Sequence, residues 1–124
     1  MDSYKKKLAF VFLLFIGLTV YSQKTDTLEI LTSSQCGMCK DRIEKAMAYE
    51  RGVTEFELGL SDKILRVVYK PRRTNPDKIR KAVSDIGYDA DDVKADERAY
   101  SKLPACCKKP DDPDYKIMDE GGLH

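Results

Sequence analysis

The hydrophobic pattern of the chain switches between a period of two and a period of 3.6 after residue 25. Alternation over 26–32 predicts a strand, and a Ser-Ser-Gln turn leads from it into a helical stripe over 36–50. Apolar residues alternate again around 56–60, and a Ser-Asp turn joins this segment to a third strand over 64–70. The pattern therefore predicts a strand, a helix and a hairpin in succession.

A second helix is predicted from its capping residues as well as from its periodicity. Asn75 is a suitable N-cap, Pro76 fits the first helical position, and Asp77 lies at the positive end of the helix dipole. Gly87 follows the last apolar position and is typical of a helix end. The apolar positions repeat at helical spacing: Ile79, Ala82, Val83 and Ile86.

Residues 88–94 are expected to form a short fourth strand at a sheet edge, although their Asp residues are poor strand formers. The resulting order, βαββαβ, predicts an α+β ferredoxin-like sandwich: a four-stranded antiparallel sheet with two helices on one face. A C-terminal extension over 96–107 is expected to contain a short helix and the pair Cys106-Cys107. The last residues, 108–124, are rich in Asp, Pro and Gly and are predicted to be a disordered tail.

The first 22 residues have the layout of a secretory signal peptide. Three consecutive Lys, at positions 5–7, precede an apolar run over 8–20, and Ser22 is a small residue before the expected cut. A helix that spans a bilayer needs ~20 apolar residues, and this run is shorter, so an uncleaved anchor is the alternative. We expect an exported protein, periplasmic or secreted after cleavage, that contacts a membrane only if the segment is retained.

Removal of this leader changes the charge of the chain. The whole sequence has 22 Lys+Arg and 21 Asp+Glu; the leader contains three Lys and one Asp, which leaves 19 basic and 20 acidic groups over 23–124. A nearly neutral chain is not expected to bind nucleic acid through its charge. Export also favours disulfides over free thiols, and the four cysteines allow three pairings if all are oxidised.

Cys36 and Cys39 form a CxxC motif between the first strand and the first helix. Thiolates are soft ligands that suit Cu(I) and Zn, and two sulfurs three positions apart can close on one ion. The positive end of the helix dipole and the neighbouring Lys40 favour the deprotonated form. Gly37 lets the loop bend without a side chain that obstructs a partner. The motif predicts an exposed, anionic site with two sulfurs.

Two signatures in this order and at this spacing resemble those of the heavy-metal-associated domain family. They are Cys36-Gly37-Met38-Cys39 and, after the second helix, Ile86-Gly87-Tyr88-Asp89-Ala90. The resemblance extends from Thr27 to about Lys94, and the domain is taken as 23–95. This module occurs in soluble copper chaperones, in the N-terminal regions of copper-exporting P-type ATPases and in the exported mercury-binding protein of mercury resistance.

The resemblance implies that Cys36 and Cys39 bind one soft ion. Cu(I) is the first expectation, and Hg(II), Zn(II) or another soft ion is the alternative. It also implies that Tyr88 shields the ion and that the metal passes by thiolate exchange to or from a partner, such as a metal-transporting P-type ATPase or another CxxC domain. The family's usual methionine, two positions before the first cysteine, is replaced by Ser34, which predicts a wetter or more mobile loop. Met38 is expected to supply apolar contact more than a thioether ligand.

Cys106 and Cys107 lie beyond the resemblance, so their prediction is geometric. The fourth strand leaves the sheet at the edge opposite the CxxC motif, and a helix over 95–103 rises ~1.5 Å per residue. The helix and the residues after it span about the length of a typical strand. A helix that runs back along the sheet can therefore bring both thiols beside Cys36 and Cys39. We expect them as accessory metal ligands; a disulfide between the two pairs and an unrelated surface dithiol remain open alternatives. His124, at the chain end, is expected to be solvated.

Two other classes of function compete with the metal carrier, which is not expected to be an enzyme. A thiol-disulfide oxidoreductase also uses CxxC at a helix start, but the element order does not match a thioredoxin-like core, and the loop lacks the proline common in that family. A secreted adaptor with a structural disulfide is the third alternative, and it predicts no metal.

Overall fold

A computed structural model describes residues 24–116 of the protein. The expected leader and the last eight residues, including His124, lie outside the described residues. The elements follow the predicted order through the second helix: β1 (Asp26–Leu31), α1 (Gly37–Tyr49), β2 (Val53–Leu58), β3 (Ile64–Tyr69) and α2 (Pro76–Asp85). A short helix, α3 (Glu97–Ser101), and a 3₁₀ turn (Ala105–Cys107) come after them. Within residues 24–116, no helix is both long and apolar enough to cross a membrane.

The strands of the described chain form a three-stranded antiparallel sheet in the order β1-β3-β2. Leu31 pairs with Ile64 and Leu58 pairs with Leu65, so β1 and β2 both end at the edge where the β2–β3 turn lies. One sheet face is covered by α1 and α2, and burying each large aliphatic side chain there stabilises the fold by about 1.5–3 kcal/mol. The core includes Ile30, Leu58, Leu65, Val67, Ile43, Met47, Ile79 and Val83.

The capping predictions for α2 are confirmed. The Lys78 N–H donates to Asn75 Oδ1 at 2.9 Å, and Pro76 occupies the first turn. Gly87 has φ of +101° just after the helix, a conformation that glycine adopts without a Cβ penalty. In the hairpin, Leu60 lies in the β2–β3 turn and is exposed, so the second strand ends two residues earlier than the alternation predicts.

The predicted fourth strand, 88–94, is not formed, and only isolated bridges of Ala90 to Thr32 and Val93 remain. Asp91 has φ of +53°, which is incompatible with an extended strand. The Asp91 carboxylate also accepts a hydrogen bond from the Leu31 N–H at 2.9 Å. Short acidic side chains that bind nearby backbone groups compete with a sheet ladder, so the segment turns where the sequence pattern predicted a strand. The ferredoxin-like α+β architecture with two main helices is retained.

Candidate metal centre

The CxxC motif lies where β1 leads into α1. Cys36 is the N-cap of α1, and no side chain caps this helix end. Cys39 belongs to the helix stripe that is buried against the sheet, together with Ile43 and Met47. The helix spacing places Cys36 Sγ 3.4 Å from Cys39 Sγ. Core packing of α1 therefore fixes the second thiol, while the first remains partly exposed at the helix end.

The structure brings the second cysteine pair to the same place. Cys36 Sγ lies 3.2 Å from Cys106 Sγ and 3.7 Å from Cys107 Sγ. These three sulfurs all lie within 4.8 Å of one another, and all four cysteines are free thiols. The juxtaposition agrees with the geometric prediction, and the role of Cys106 and Cys107 as ligands stays a prediction.

The route of the chain to this cluster differs from the one predicted. The helix over 95–103 is reduced to Glu97–Ser101, and a 3₁₀ turn presents the cysteines. A Cβ on Gly87 would lie 2.9 Å from Tyr100 N and 3.0 Å from Ala99 C. The bare glycine thus lets the α3 backbone pack directly on the end of α2, and this contact turns the chain back toward Cys36.

Residues 96–116, called the C-terminal arm from here on, are held by polar contacts. Lys109 Nζ binds Asp89 Oδ2 at 2.7 Å, and Asp89 Oδ1 accepts from the Ala95 N–H at 2.8 Å. Burial raises the pKa of Asp89, but the hydrogen bonds from Lys109 and Ala95 lower it below its usual value overall. The carboxylate therefore remains charged at neutral pH and pairs with the arm.

The arm also binds itself through Tyr100. The Tyr100 hydroxyl donates to Asp112 Oδ2 at 2.8 Å and accepts from the Lys109 N–H at 2.9 Å. Lys108 is buried; its Nζ donates to the Tyr100 carbonyl at 2.8 Å and lies 4.6 Å from the ring centroid. Residues 108–116 are thus packed against the domain, in contrast to the disordered tail that composition predicted. Composition misses this because the contacts are few, specific and distant in sequence.

Tyr88 is fully buried next to the cluster. Burial, together with the neighbouring thiols of Cys107 and Cys39, raises its pKa, so the hydroxyl stays protonated. Among the described residues, this hydroxyl has no hydrogen-bond partner. The structure therefore places Tyr88 beside the thiols, as the resemblance implied, with an unused donor.

Two other residues predicted around the site differ in their placement. Met38 Sδ lies 3.7 Å from Cys106 Sγ, so its thioether contacts the arm. Lys40 Nζ instead donates to Glu44 Oε2 at 2.9 Å and to the Leu58 carbonyl at 2.8 Å. The hydrogen bonds of this ammonium go to the helix and to β2, and its influence on the thiols stays a prediction.

The loop before the motif is drier than the Ser34 substitution predicted. Ser34 is only 1% exposed, and its hydroxyl lies 2.9 Å from the Thr32 hydroxyl. Thr32 in turn donates to the Lys63 carbonyl at 2.9 Å. Serine thus replaces the packing of a methionine with a buried hydrogen-bond chain that connects the loop to the β2–β3 turn.

The predicted site was exposed, whereas the observed one is nearly closed. Cys39 and Cys107 are at most 1% exposed and Cys106 is 6% exposed. Burial, reinforced by Cys39, raises the pKa of the Cys107 thiol. A soft cation can offset this, because thiols lose their protons when they bind metal.

Sequence reasoning missed the residues that hold the arm, namely Gly87 as a packing position, Asp89 and Lys109. Asp89 was counted as a poor strand former. The short carboxylate of Asp is, however, a signal in itself, because it often accepts hydrogen bonds from nearby backbone N–H groups. Lys109 had a weaker signal, a basic residue two positions after a cysteine pair that the chain must anchor.

Comparison with known proteins agrees with this geometry. Residues 35–89 match the profile of the heavy-metal-associated domain. A copper-exporting P-type ATPase of Staphylococcus aureus (strain JH9) is 32% identical over 71 residues, 56% of this chain and 9% of the relative. Its counterpart in Staphylococcus epidermidis (strain ATCC 35984) is 33% identical over 66 residues, 53% of this chain and 8% of the relative. The chain thus spans less than a tenth of these relatives.

Two solved structures share the fold. A CopZ metallochaperone is 26% identical with a TM-score of 0.50, covering 52% of this chain and 98% of its own. Oxidized MerP from Ralstonia metallidurans CH34 is 24% identical with a TM-score of 0.52, covering 54% of this chain and 94% of its own. The family match over residues 35–89 includes the CxxC motif. The chain therefore contains a heavy-metal-associated domain, and residues 35–89 belong to that family.

Proposed function

We propose that the protein is an exported carrier that captures a soft metal ion, Cu(I) first, at Cys36 and Cys39 and passes it to a partner. The observation that carries this proposal is the 3.4 Å separation of the two sulfurs at the start of α1 in a heavy-metal-associated domain. Two thiolates at this spacing suit one soft cation. The relatives are named copper-exporting ATPases, which supports Cu(I) as the first expected ion. In this proposal the protein is a carrier and not an enzyme.

The exposure of the sulfurs supports transfer through Cys36. Cys36 is partly exposed whereas Cys39 is buried, and a Cβ on Gly37 would meet no atom within 4 Å. A partner thiolate can approach from this open side and bind the ion before the Cys36–metal bond breaks. Cys36 then takes a proton as the partner's thiol loses one, and the oxidation state of the metal does not change. The partner would be a metal-transporting P-type ATPase or another CxxC domain.

Export is part of the proposal and depends on the sequence of the first 22 residues, which lie outside the described residues. The basic start and apolar run are typical of a signal peptide. Fractionation of expressing cells, with the N-terminal residue of the product determined by mass spectrometry, tests this directly. A product that begins near Gln23 outside the cytoplasm is expected, and an intact cytoplasmic chain would exclude it.

Metal binding is tested on the purified chain, reduced and without oxygen. We expect one Cu(I) per chain, lost in Cys36→Ser and retained in the control Met38→Leu, which removes a thioether but not a thiolate. Bound Cu, Zn and Hg are measured together with free thiols. A parent chain that holds no metal but reduces insulin would contradict the carrier and favour the oxidoreductase.

A further inference from the structure

We infer that Cys106 and Cys107 complete the metal centre, so that the C-terminal arm converts a two-thiolate site into one with three or four thiolates. This inference rests on the proposed metal binding at Cys36 and Cys39. The arm lies outside residues 35–89, which match the family. The added site is therefore a feature of this chain rather than of the domain.

The separations between the sulfurs fit one shared ion. With metal–sulfur bonds of about 2.3 Å, three thiolates in a plane around one ion lie about 4.0 Å apart. Cys36 Sγ lies 3.2 Å from Cys106 Sγ and 3.7 Å from Cys107 Sγ, and these three sulfurs lie within 4.8 Å of one another. Small side-chain rotations suffice to reach the coordinated distances. Cys36 is the shared member, because Cys39 Sγ is also 3.4 Å from it.

The arm is held in place by specific contacts, which an unrelated surface dithiol would not require. The α3 backbone packs on bare Gly87, Lys109 binds Asp89 at 2.7 Å, and the Lys116 N–H donates to the Ala105 carbonyl at 3.2 Å. The last contact closes a loop around the 3₁₀ turn that carries both cysteines. The arm thereby fixes the backbone of the two thiols on both sides.

An unused donor also points to anionic sulfur at this place. The Tyr88 hydroxyl is buried without a partner, and an unpaired buried hydroxyl costs free energy. The nearby groups that act on it are the thiols of Cys107 and Cys39. A thiolate held by a metal is a stronger acceptor than a thiol, so metal binding would give this hydroxyl its partner.

A site closed by the arm differs in function from an open CxxC site. Additional thiolates retain a soft ion against competitors, and a partner that approaches Cys36 must also replace the thiolates of Cys106 and Cys107 before it can take the metal. The chain would thus hold its ion until a partner with its own thiolates competes for the place of Cys106 and Cys107. Cargo of this class is a thiophilic cation that accepts three sulfurs, such as Cu(I) or Hg(II).

The test compares the parent with Cys106→Ser/Cys107→Ser, with Cu(I) as the probe and a chelator as the competitor. Serine is close in size to cysteine, so the arm still covers the site. We expect the double variant to bind Cu(I) at least about tenfold more weakly. Loss of a residue that only supports a ligand already weakens metal binding by about tenfold, and loss of a ligand should weaken it more. X-ray absorption is expected to count three or four sulfurs around Cu in the parent and two in the double variant. Lys102→Ala is the matched control, because it removes an exposed side chain of the arm and keeps both thiols, and its sulfur count should equal that of the parent.

Each result decides one of the two ideas. A parent with two sulfurs around Cu, or a double variant that binds within twofold of the parent, overturns the role of the arm and leaves the carrier intact. A parent that binds no Cu(I) overturns the carrier itself. If the double variant does not fold, as judged by circular dichroism, the sulfur count of the parent decides alone. A disulfide between Cys36 and Cys106 that resists a thiol reductant and excludes metal from the purified chain would also overturn the inference.

Discussion

The two cysteine pairs reach the same cluster by different physical means. Cys39 is anchored by the apolar stripe of α1, which is packed against the sheet. Cys106 and Cys107 are carried by a short arm, which is held by the Gly87 contact, the ion pair of Lys109 with Asp89 and the hydrogen bonds of Tyr100. Burial of Cys39 in the core fixes the position of the first pair through α1. The second pair is held by contacts that single substitutions can remove.

This difference indicates which part of the site can move. Local opening of a protein occurs where few apolar contacts resist it, and α3, the helix of the arm, buries none of its residues. Opening of the arm would withdraw Cys106 and Cys107 from the cluster without unfolding the domain. Substitutions can therefore separate the two pairs.

Gly87→Ala should have the largest effect on the arm. Its φ of +101° is costly for a residue with a Cβ, and the new methyl would meet backbone atoms of Tyr100 and Ala99 at about 3 Å. We expect a loss of about 1–3 kcal/mol in the free energy of unfolding. Cys106 and Cys107 should become reactive to a thiol reagent while Cys39 stays protected, as mapped by peptide mass spectrometry.

Gly37→Ala is the control for this substitution, because its Cβ would meet no atom within 4 Å. Replacing glycine in a helix where the conformation is compatible stabilises by about 0.4–1 kcal/mol through the unfolded state. Equal destabilisation by both alanines, or equal exposure of Cys39 and Cys107 in Gly87→Ala, would show that the arm and the core are one cooperative unit.

The sequence was sufficient for the parts of the fold that depend on periodicity and caps. The stripe of α1, the hairpin and the Asn75 cap are local patterns, and they are observed close to their predicted bounds. The fourth strand failed because Asp91 takes a left-handed conformation and binds Leu31, a competition that β-propensity does not represent. Among the site residues, Lys40 hydrogen-bonds to Glu44 and to the Leu58 carbonyl, contacts that the CxxC spacing does not indicate.

The arrangement of the cysteines was predictable only in part. The spacing of CxxC at a helix start fixes its own geometry, and a length argument placed the second pair near it. The contacts that hold the arm join residues far apart in sequence, such as Asp89 and Lys109. No periodic pattern encodes such pairs, which is why the ordered segment 108–116 was predicted to be disordered.

Asp89→Asn should have a smaller effect, confined to the arm. The amide keeps an acceptor for the Ala95 N–H but loses the charge that pairs with Lys109. We expect a loss of about 0.5–1 kcal/mol in the free energy of unfolding at pH 7. Thermal or denaturant unfolding measures it, and high salt should reduce the difference.

The pH dependence of this difference follows from the lowered pKa of Asp89. A carboxyl whose pKa is lower in the folded state stabilises the protein above its unfolded pKa of about 3.9, and this contribution is lost as the pH falls through the folded value. The parent and Asp89→Asn should therefore converge in acid. A difference that persists at a pH below the folded pKa of Asp89, where both side chains are neutral, would show that the ion pair is not its source.

Tyr88→Phe should have the smallest effect on the protein without metal and a distinct one on the loaded protein. Because the hydroxyl is buried without a partner, its removal takes away an unsatisfied donor rather than a hydrogen bond. We expect the free energy of unfolding without metal to stay within about 0.5 kcal/mol of the parent or to rise. With Cu(I) bound, the same substitution should weaken retention against a chelator, since a hydrogen bond to a bound thiolate is lost. A loss of more than about 1 kcal/mol in the free energy of unfolding without metal would mean that the hydroxyl already has a hydrogen-bond partner. The Tyr88 hydroxyl would then not be waiting for a metal-bound thiolate of either cysteine pair.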